Sequence, residues 1–143
     1  MIPLKLHISG FLSYRDPVEL DFEGFDLACI SGQNGAGKSS LLDAITWALF
    51  GEARGKNKDA VINLGSDAAE VVLTFVYEEN TYRVQRSLPR GKSQVLEFQI
   101  LDEDHWRPLT EKSARETQSR INQTLRLDSD TFINASLFLQ GKA

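Results

Sequence analysis

The stretch Ser31–Ser40, SGQNGAGKSS, constrains this chain more than any other. Gly32, Gly37, Lys38 and Ser39 fill the spacing G-x-x-x-x-G-K-[ST] of a phosphate-binding P-loop. Glycines at Gly32, Gly35 and Gly37 let backbone N–H groups close on phosphate oxygens, because no Cβ intervenes. The start of the following helix supplies unpaired N–H groups and a partial positive charge. Lys38 adds a point charge for the β- and γ-phosphates. The Ser39 hydroxyl is an oxygen ligand of the kind Mg²⁺ takes.

The flanks agree with the motif. Phe25–Ile30 is an apolar run of strand length. Over Ser40–Phe50, Leu41, Leu42, Ile45, Ala48 and Leu49 recur at helical spacing, which predicts a helix with one apolar face. Gly51 stands where a C-cap glycine belongs. Strand, glycine loop and helix follow in the order a P-loop needs.

At 143 residues the chain has the size of one domain. A net charge of −4 argues against a generally basic coat for nucleic acid, while leaving room for a local basic patch. The single cysteine, Cys29, lies in the apolar run and reads as a small buried hydrophobe, so there is no disulfide framework. His7 and His105 are far apart, and no zinc ligand set forms around them. No apolar run approaches membrane-spanning length and no signal peptide opens the chain, so the expected setting is cytoplasmic, with no membrane partner.

Leu4–Ile8 and Val18–Phe22 alternate apolar and polar residues and predict two strands, with His7 on a polar face rather than in catalysis. Glu70–Tyr77, Tyr82–Ser87 and Gln94–Leu101 predict an antiparallel meander, turning at Glu79-Asn80. Thr110 is the expected N-cap of a helix from Glu111 to Leu125, with Ala114, Ile121 and Leu125 facing inward. Asp128–Asn134 predicts a short helical turn, and Ser136–Gln140 a last apolar strand ending in a glutamine. Between Thr81 and Leu96, Arg83, Arg86, Arg90 and Lys92 meet no acidic residue. Two readings stand for that run: a solvated hairpin face, or a patch that contacts the phosphates of double-stranded DNA.

Hydrolysis of a nucleotide also needs a carboxylate on the metal and a group that activates water. Glu78 and Glu79, which follow Phe75-Val76-Tyr77, offer such carboxylates, but their neighbours favour a solvated hairpin turn. No stretch of the Ser-Gly-Gly-Gln type, by which ABC ATPases reach a partner's γ-phosphate, is present.

The residues Phe11-Leu12-Ser13-Tyr14, GQNGAGKSSLLDAI, the exit Phe50–Gly55 and the ending SLFLQGKA together resemble the N-terminal ATPase lobe of the SbcC family. These are DNA-repair ABC ATPases that partner an SbcD-type nuclease; their eukaryotic counterpart is the ATPase of the Mre–Rad–Nbs complex. The resemblance covers essentially the whole chain. It implies an α/β P-loop NTPase lobe of ABC type with an antiparallel β layer, binding ATP and Mg²⁺. Asn34, Gly35, Ala36, Gly37, Lys38, Ser39 and Ser40 would then hold phosphates, and Ser39 with Gln140 would hold Mg²⁺. Lys38 and Gln140 would be the catalytic contributions. Ile62, Asn63 and Leu64 would line the base and sugar, largely through backbone, with Leu12 and Ser13 bordering them. An uncharged amide suits Gln140, because it ligates metal through oxygen and donates through nitrogen.

In that family a coiled coil follows the glutamine, and a C-terminal lobe returns with the signature, the Walker B carboxylates and the switch histidine. The chain is thus expected to be one lobe of a split head. Its implied partners are its own C-terminal lobe, a second head in an ATP-sandwiched dimer, the nuclease and double-stranded DNA. Two other classes are compatible with the residues: a DNA-tethering head of SMC, RecN or RecF type without a nuclease, and a small-molecule P-loop kinase.

Overall fold

The structure is a computed structural model describing residues 2–12, 14–22, 35–51 and 61–126, with the backbone alone at 35–42. The predicted strand Phe25–Ile30, the Glu52–Asp59 loop, the Asp128–Asn134 turn and the Ser136–Gln140 strand lie outside the described residues.

The elements are β1 (Ile2–Ser9), β2 (Val18–Asp21), α1 (Gly35–Phe50), β3 (Ala68–Tyr77), β4 (Asn80–Pro89), β5 (Val95–Asp102), β6 (His105–Pro108) and α2 (Ala114–Leu125). The strands form one six-stranded sheet in the order β2-β1-β3-β4-β5-β6, antiparallel at every pairing. The amino-terminal pair and the meander are thus a single layer. They join where Leu6 meets Leu73 and Ile8 meets Val71.

Period-2 alternation sets which face is buried. Leu6 and Ile8, Val71, Leu73 and Phe75, Val84 and Leu88, and Leu96 and Phe98 point to one side and are buried. Tyr82 stacks between Phe75 and Phe98, with ring centroids 5.6 and 5.5 Å away. Against this face pack α1, on β3 and β4, and α2, on β5. The carboxy-terminal half of α1 is buried all round, from Ala44 to Phe50. It is therefore a core helix there, not the one-sided amphipath its spacing suggested.

Glu78 and Glu79 both have positive φ, 49° and 71°, and close the β3–β4 hairpin as a two-residue loop between Tyr77 and Asn80. That conformation fits the right-handed twist of the strands it joins. The turn lies one residue earlier than the sequence suggested. Glu78 comes within 4.0 Å of Arg126 at the exposed end of α2.

The N-cap of α2 is Ser113, not Thr110: its side chain accepts from the Glu116 N–H. Thr110 instead accepts from the Phe98 N–H at 3.0 Å and donates to the Phe98 carbonyl, which fastens the chain to β5. A Ser with Glu three residues on is the stronger start signal. The strand β6, HWRP, has no counterpart among the predicted strands, because four residues ending in proline carry too little pattern.

Candidate functional site

α1 begins at Gly35 and carries no acidic residue in its first turn. Its leading N–H groups have no partner within the helix, and the helix dipole places partial positive charge there. Such an end accepts an anion, and the sequence that forms it is Gly-Ala-Gly-Lys-Ser-Ser. Gly32, Asn34, Ser13 and Gln140 lie outside the described residues, as do the side chains of Lys38, Ser39 and Ser40.

The loop Gly10–Tyr14 and the segment around Asn63 are brought together, 51 positions apart in sequence. The Leu12 N–H donates to the Val61 carbonyl at 2.7 Å, and the Asn63 side-chain amide donates to the Leu12 carbonyl at 2.7 Å. Leu12 is thereby held with φ at 49°. The Asn63 N–H donates to the Gly10 carbonyl at 2.8 Å; its own carbonyl accepts from the Ser66 N–H, and its Oδ1 from the Gly65 N–H. Ile62 is buried against Phe11, whereas Leu64 is 98% exposed. Of the three residues expected to line a base and sugar, then, Asn63 has its backbone N–H engaged inside the fold, and Leu64 projects outward.

The four basic residues of the meander do not share a face. Arg83 and Arg86 are three apart on β4, so they point to opposite sides of the sheet. Arg83 lies on the open side, donating to Gln99 Oε1 at 2.6 Å, with its guanidinium 4.3 Å from the Trp106 ring centroid. It also lines a shallow groove of about 390 Å³ with Lys5, His7, Glu19 and Asp21, where charges of both signs mix.

Arg86 is 1% exposed, which overturns its place in a phosphate-contacting patch. It donates to the Ala48 carbonyl at 3.3 Å, to Gln94 Oε1 at 2.6 Å and to Gln118 Oε1. Gln118 in turn donates to the Leu49 carbonyl at 2.8 Å. A cation thus sits at the carboxy-terminal end of α1, where the dipole is negative. Burial lowers the Arg86 pKa to about 10, so it stays charged at neutral pH. Arg90 is exposed, and its Nη2 donates to the carbonyls of Asn63 at 3.2 Å and Ser66 at 3.0 Å.

His7 stands on the open face with Glu19 and Glu70 each 3.6 Å away, in keeping with a solvated strand position. Among the described residues no three His, Cys, Asp or Glu side chains cluster as a metal site, and no helix is long and apolar enough to cross a membrane.

A family profile described as an AAA domain matches residues 5–142. The chain belongs to the AAA-domain family. This AAA domain is 38% identical over 149 residues to the SbcC component of the SbcCD nuclease of Deinococcus radiodurans, covering 99% of this chain and 16% of that protein. It is 33% identical over 146 residues to a probable DNA double-strand break repair Rad50 ATPase of Aquifex aeolicus, covering 99% and 14%. The chain thus spans about one-sixth of the length of these relatives. Its fold resembles the SMC head domain from Thermotoga maritima with a TM-score of 0.52, at 23% identity, over 81% of this chain and 41% of that one. These likenesses place it with the SbcC and Rad50 ATPases, as the sequence motifs implied, in a P-loop fold that SMC heads share.

Proposed function

We propose that this AAA domain is the N-terminal lobe of a split ABC-type head and binds ATP with Mg²⁺ at the start of α1. The observation that carries the reading is the P-loop sequence at a helix start free of acidic residues. The α1 N–H groups, Lys38 and Ser40 would hold the phosphates, and Ser39 with Gln140 the metal. Bound Mg²⁺ would neutralise phosphate charge. Paired with a C-terminal lobe, two heads would close on two nucleotides, because ATP makes contacts in the closed dimer that it lacks in the open one.

Closure would gate access of double-stranded DNA to an SbcD-type nuclease in the cytoplasm. A relative named as part of a nuclease supports that partner. A second reading, a DNA-tethering head without a nuclease, is favoured by the likeness of fold to an SMC head.

Two measurements test this. Lys38→Ala in the full-length protein is expected to abolish ATP-dependent dimerisation on size-exclusion chromatography; dimerisation that persists overturns the nucleotide site. Co-purification of a metallophosphoesterase separates the nuclease-linked head from the tethering one.

A further inference from the structure

We infer that Arg15 and Arg90, which flank the Asn63–Ser66 turn, form a contact for the phosphate backbone of double-stranded DNA, and that the open sheet face carrying Arg83 does not. The inference rests on the reading above that the head meets DNA.

Two tight turns lie side by side at this end of the sheet. In one the Ser66 N–H donates to the Asn63 carbonyl at 2.9 Å; in the other the Lys92 N–H donates to the Pro89 carbonyl at 3.0 Å. Gly91 holds the third position of the second turn with φ at 73°, the place that a type II turn gives to glycine. Arg90 joins the two. Its N–H donates to the Asp67 carbonyl at 2.8 Å, and its Nη2 reaches the carbonyls of Asn63 at 3.2 Å and Ser66 at 3.0 Å. Arg15 comes from the loop before β2 and lies against the first turn: a Cβ on Gly65 would stand 3.4 Å from its Nε and 3.6 Å from its Cδ. Two arginines from distant parts of the chain thus flank one turn, and Arg15 lies outside the basic run that follows Thr81.

Both arginines are exposed. The side-chain bonds described for Arg90 use Nη2, so Nε and Nη1 keep their donors. Arg15 has no ion-pair partner among the described residues. Around the turns, Arg15, Arg90 and Lys92 outnumber the carboxylates of Asp16 and Asp67. The open face has the opposite balance. Cross-strand register puts Glu19, Asp21, Glu70 and Glu97 there, against Lys5 and Arg83. A polyanion is therefore drawn to the turns and repelled from the open face. A single small anion would gain little from two solvated cations. A DNA backbone meets both at once and releases counterions at each contact.

The test is titration of the full-length protein with two duplexes of unrelated sequence over a range of salt, read by fluorescence anisotropy. Arg15→Gln with Arg90→Gln is expected to weaken both duplexes alike and to flatten the log–log salt slope by about 0.9 for each arginine. Arg90 also braces the Asn63 turn, so Arg15→Lys with Arg90→Lys separates charge from fold: it keeps both charges and should keep the wild-type slope. Lys5→Gln with Arg83→Gln should keep that slope too. An unchanged slope in the Gln pair, an equal flattening in the Lys pair, or flattening by the open-face pair overturns the inference. Where the Gln pair keeps its slope but loses affinity for Mg-ATP by calorimetry, the arginines serve the nucleotide and the inference is overturned as well. A wild type that binds neither duplex overturns the DNA reading, and the inference falls with it.

Discussion

The Nε of Arg86 lies 3.3 Å from the carbonyl oxygen of Ala48, in the last turn of the helix that begins with the P-loop residues. Gly51, with φ at 74°, makes room for it: a Cβ there would come within 2.9 Å of Arg86 Nη1. One buried cation thus joins β4, the segment before β5 and α2 to the end of α1, through Gln94 and Gln118.

Arg86→Met should lower stability by roughly 3 kcal/mol, because it leaves the Ala48 carbonyl and two glutamine oxygens without their donor. For a domain of this size that is a fall of about 10 °C in the melting temperature, read by circular dichroism. The difference between wild type and variant should be flat from pH 6 to 9, since Arg86 is charged in both folded and unfolded chains there. The folded pKa is depressed to about 10 from 12.5, so above pH 10 the unfolded chain binds more protons. Wild-type stability relative to Arg86→Met should then rise with pH. A difference that shrinks above pH 10 would contradict the assignment.

Gly10→Ala should be comparably damaging. Gly10 has φ of 64°, and a Cβ there would lie 2.1 Å from the Ala68 carbonyl oxygen. Backbone must move, and the Gly10 carbonyl that accepts from Asn63 moves with it. A loss of about 3 kcal/mol is expected from strain and displaced bonds together. The urea midpoint should drop at constant m-value; an unchanged midpoint would mean the loop is not held as described.

These two sites mark the limits of what is legible in the sequence. The glycine–lysine–serine spacing is local and fixed by its chemistry, so it reads directly. Val71, Leu73 and Phe75 declare a strand and its buried face by alternation. The same parity puts Arg83 and Arg86 on opposite faces, which grouping them by charge alone overlooks. The Asn63–Leu12 bond and the Arg90 clasp join residues 51 and 27 positions apart, and no local pattern encodes such pairs. Only Gly10, a glycine in a tight approach, leaves a trace of them.

DNA binding gives the patch a direct test. With Arg86 buried, Arg83, Arg90 and Lys92 are the candidates that reach the surface. Replacing all three with Gln should flatten the log–log salt dependence of DNA binding by about 0.9 for each phosphate no longer neutralised. If the triple variant has the wild-type slope, this run of the chain is not where DNA lies.

Turnover separates the lobe from the whole head. In the proposed site the α1 N–H groups, Lys38 and Ser39 would meet the phosphates and metal, and Gln140 would be the second ligand to Mg²⁺. Both proposed metal ligands are neutral, and the resemblance to the SbcC family implies that the metal carboxylates come from a C-terminal lobe. Glu78 and Glu79 do not replace them: they form the tip of the β3–β4 hairpin in left-handed conformation, and Glu78 faces Arg126. Missing groups of this kind act mainly on the transition state, so binding should outlast turnover. Phosphate release by the 143-residue chain should therefore match that of its Lys38→Ala variant, and activity should appear only when a C-terminal lobe is supplied. Glu78→Gln and Glu79→Gln should leave that restored activity unchanged. Lys38-dependent turnover by the chain alone would place a catalytic carboxylate within these residues and refute the split-head proposal.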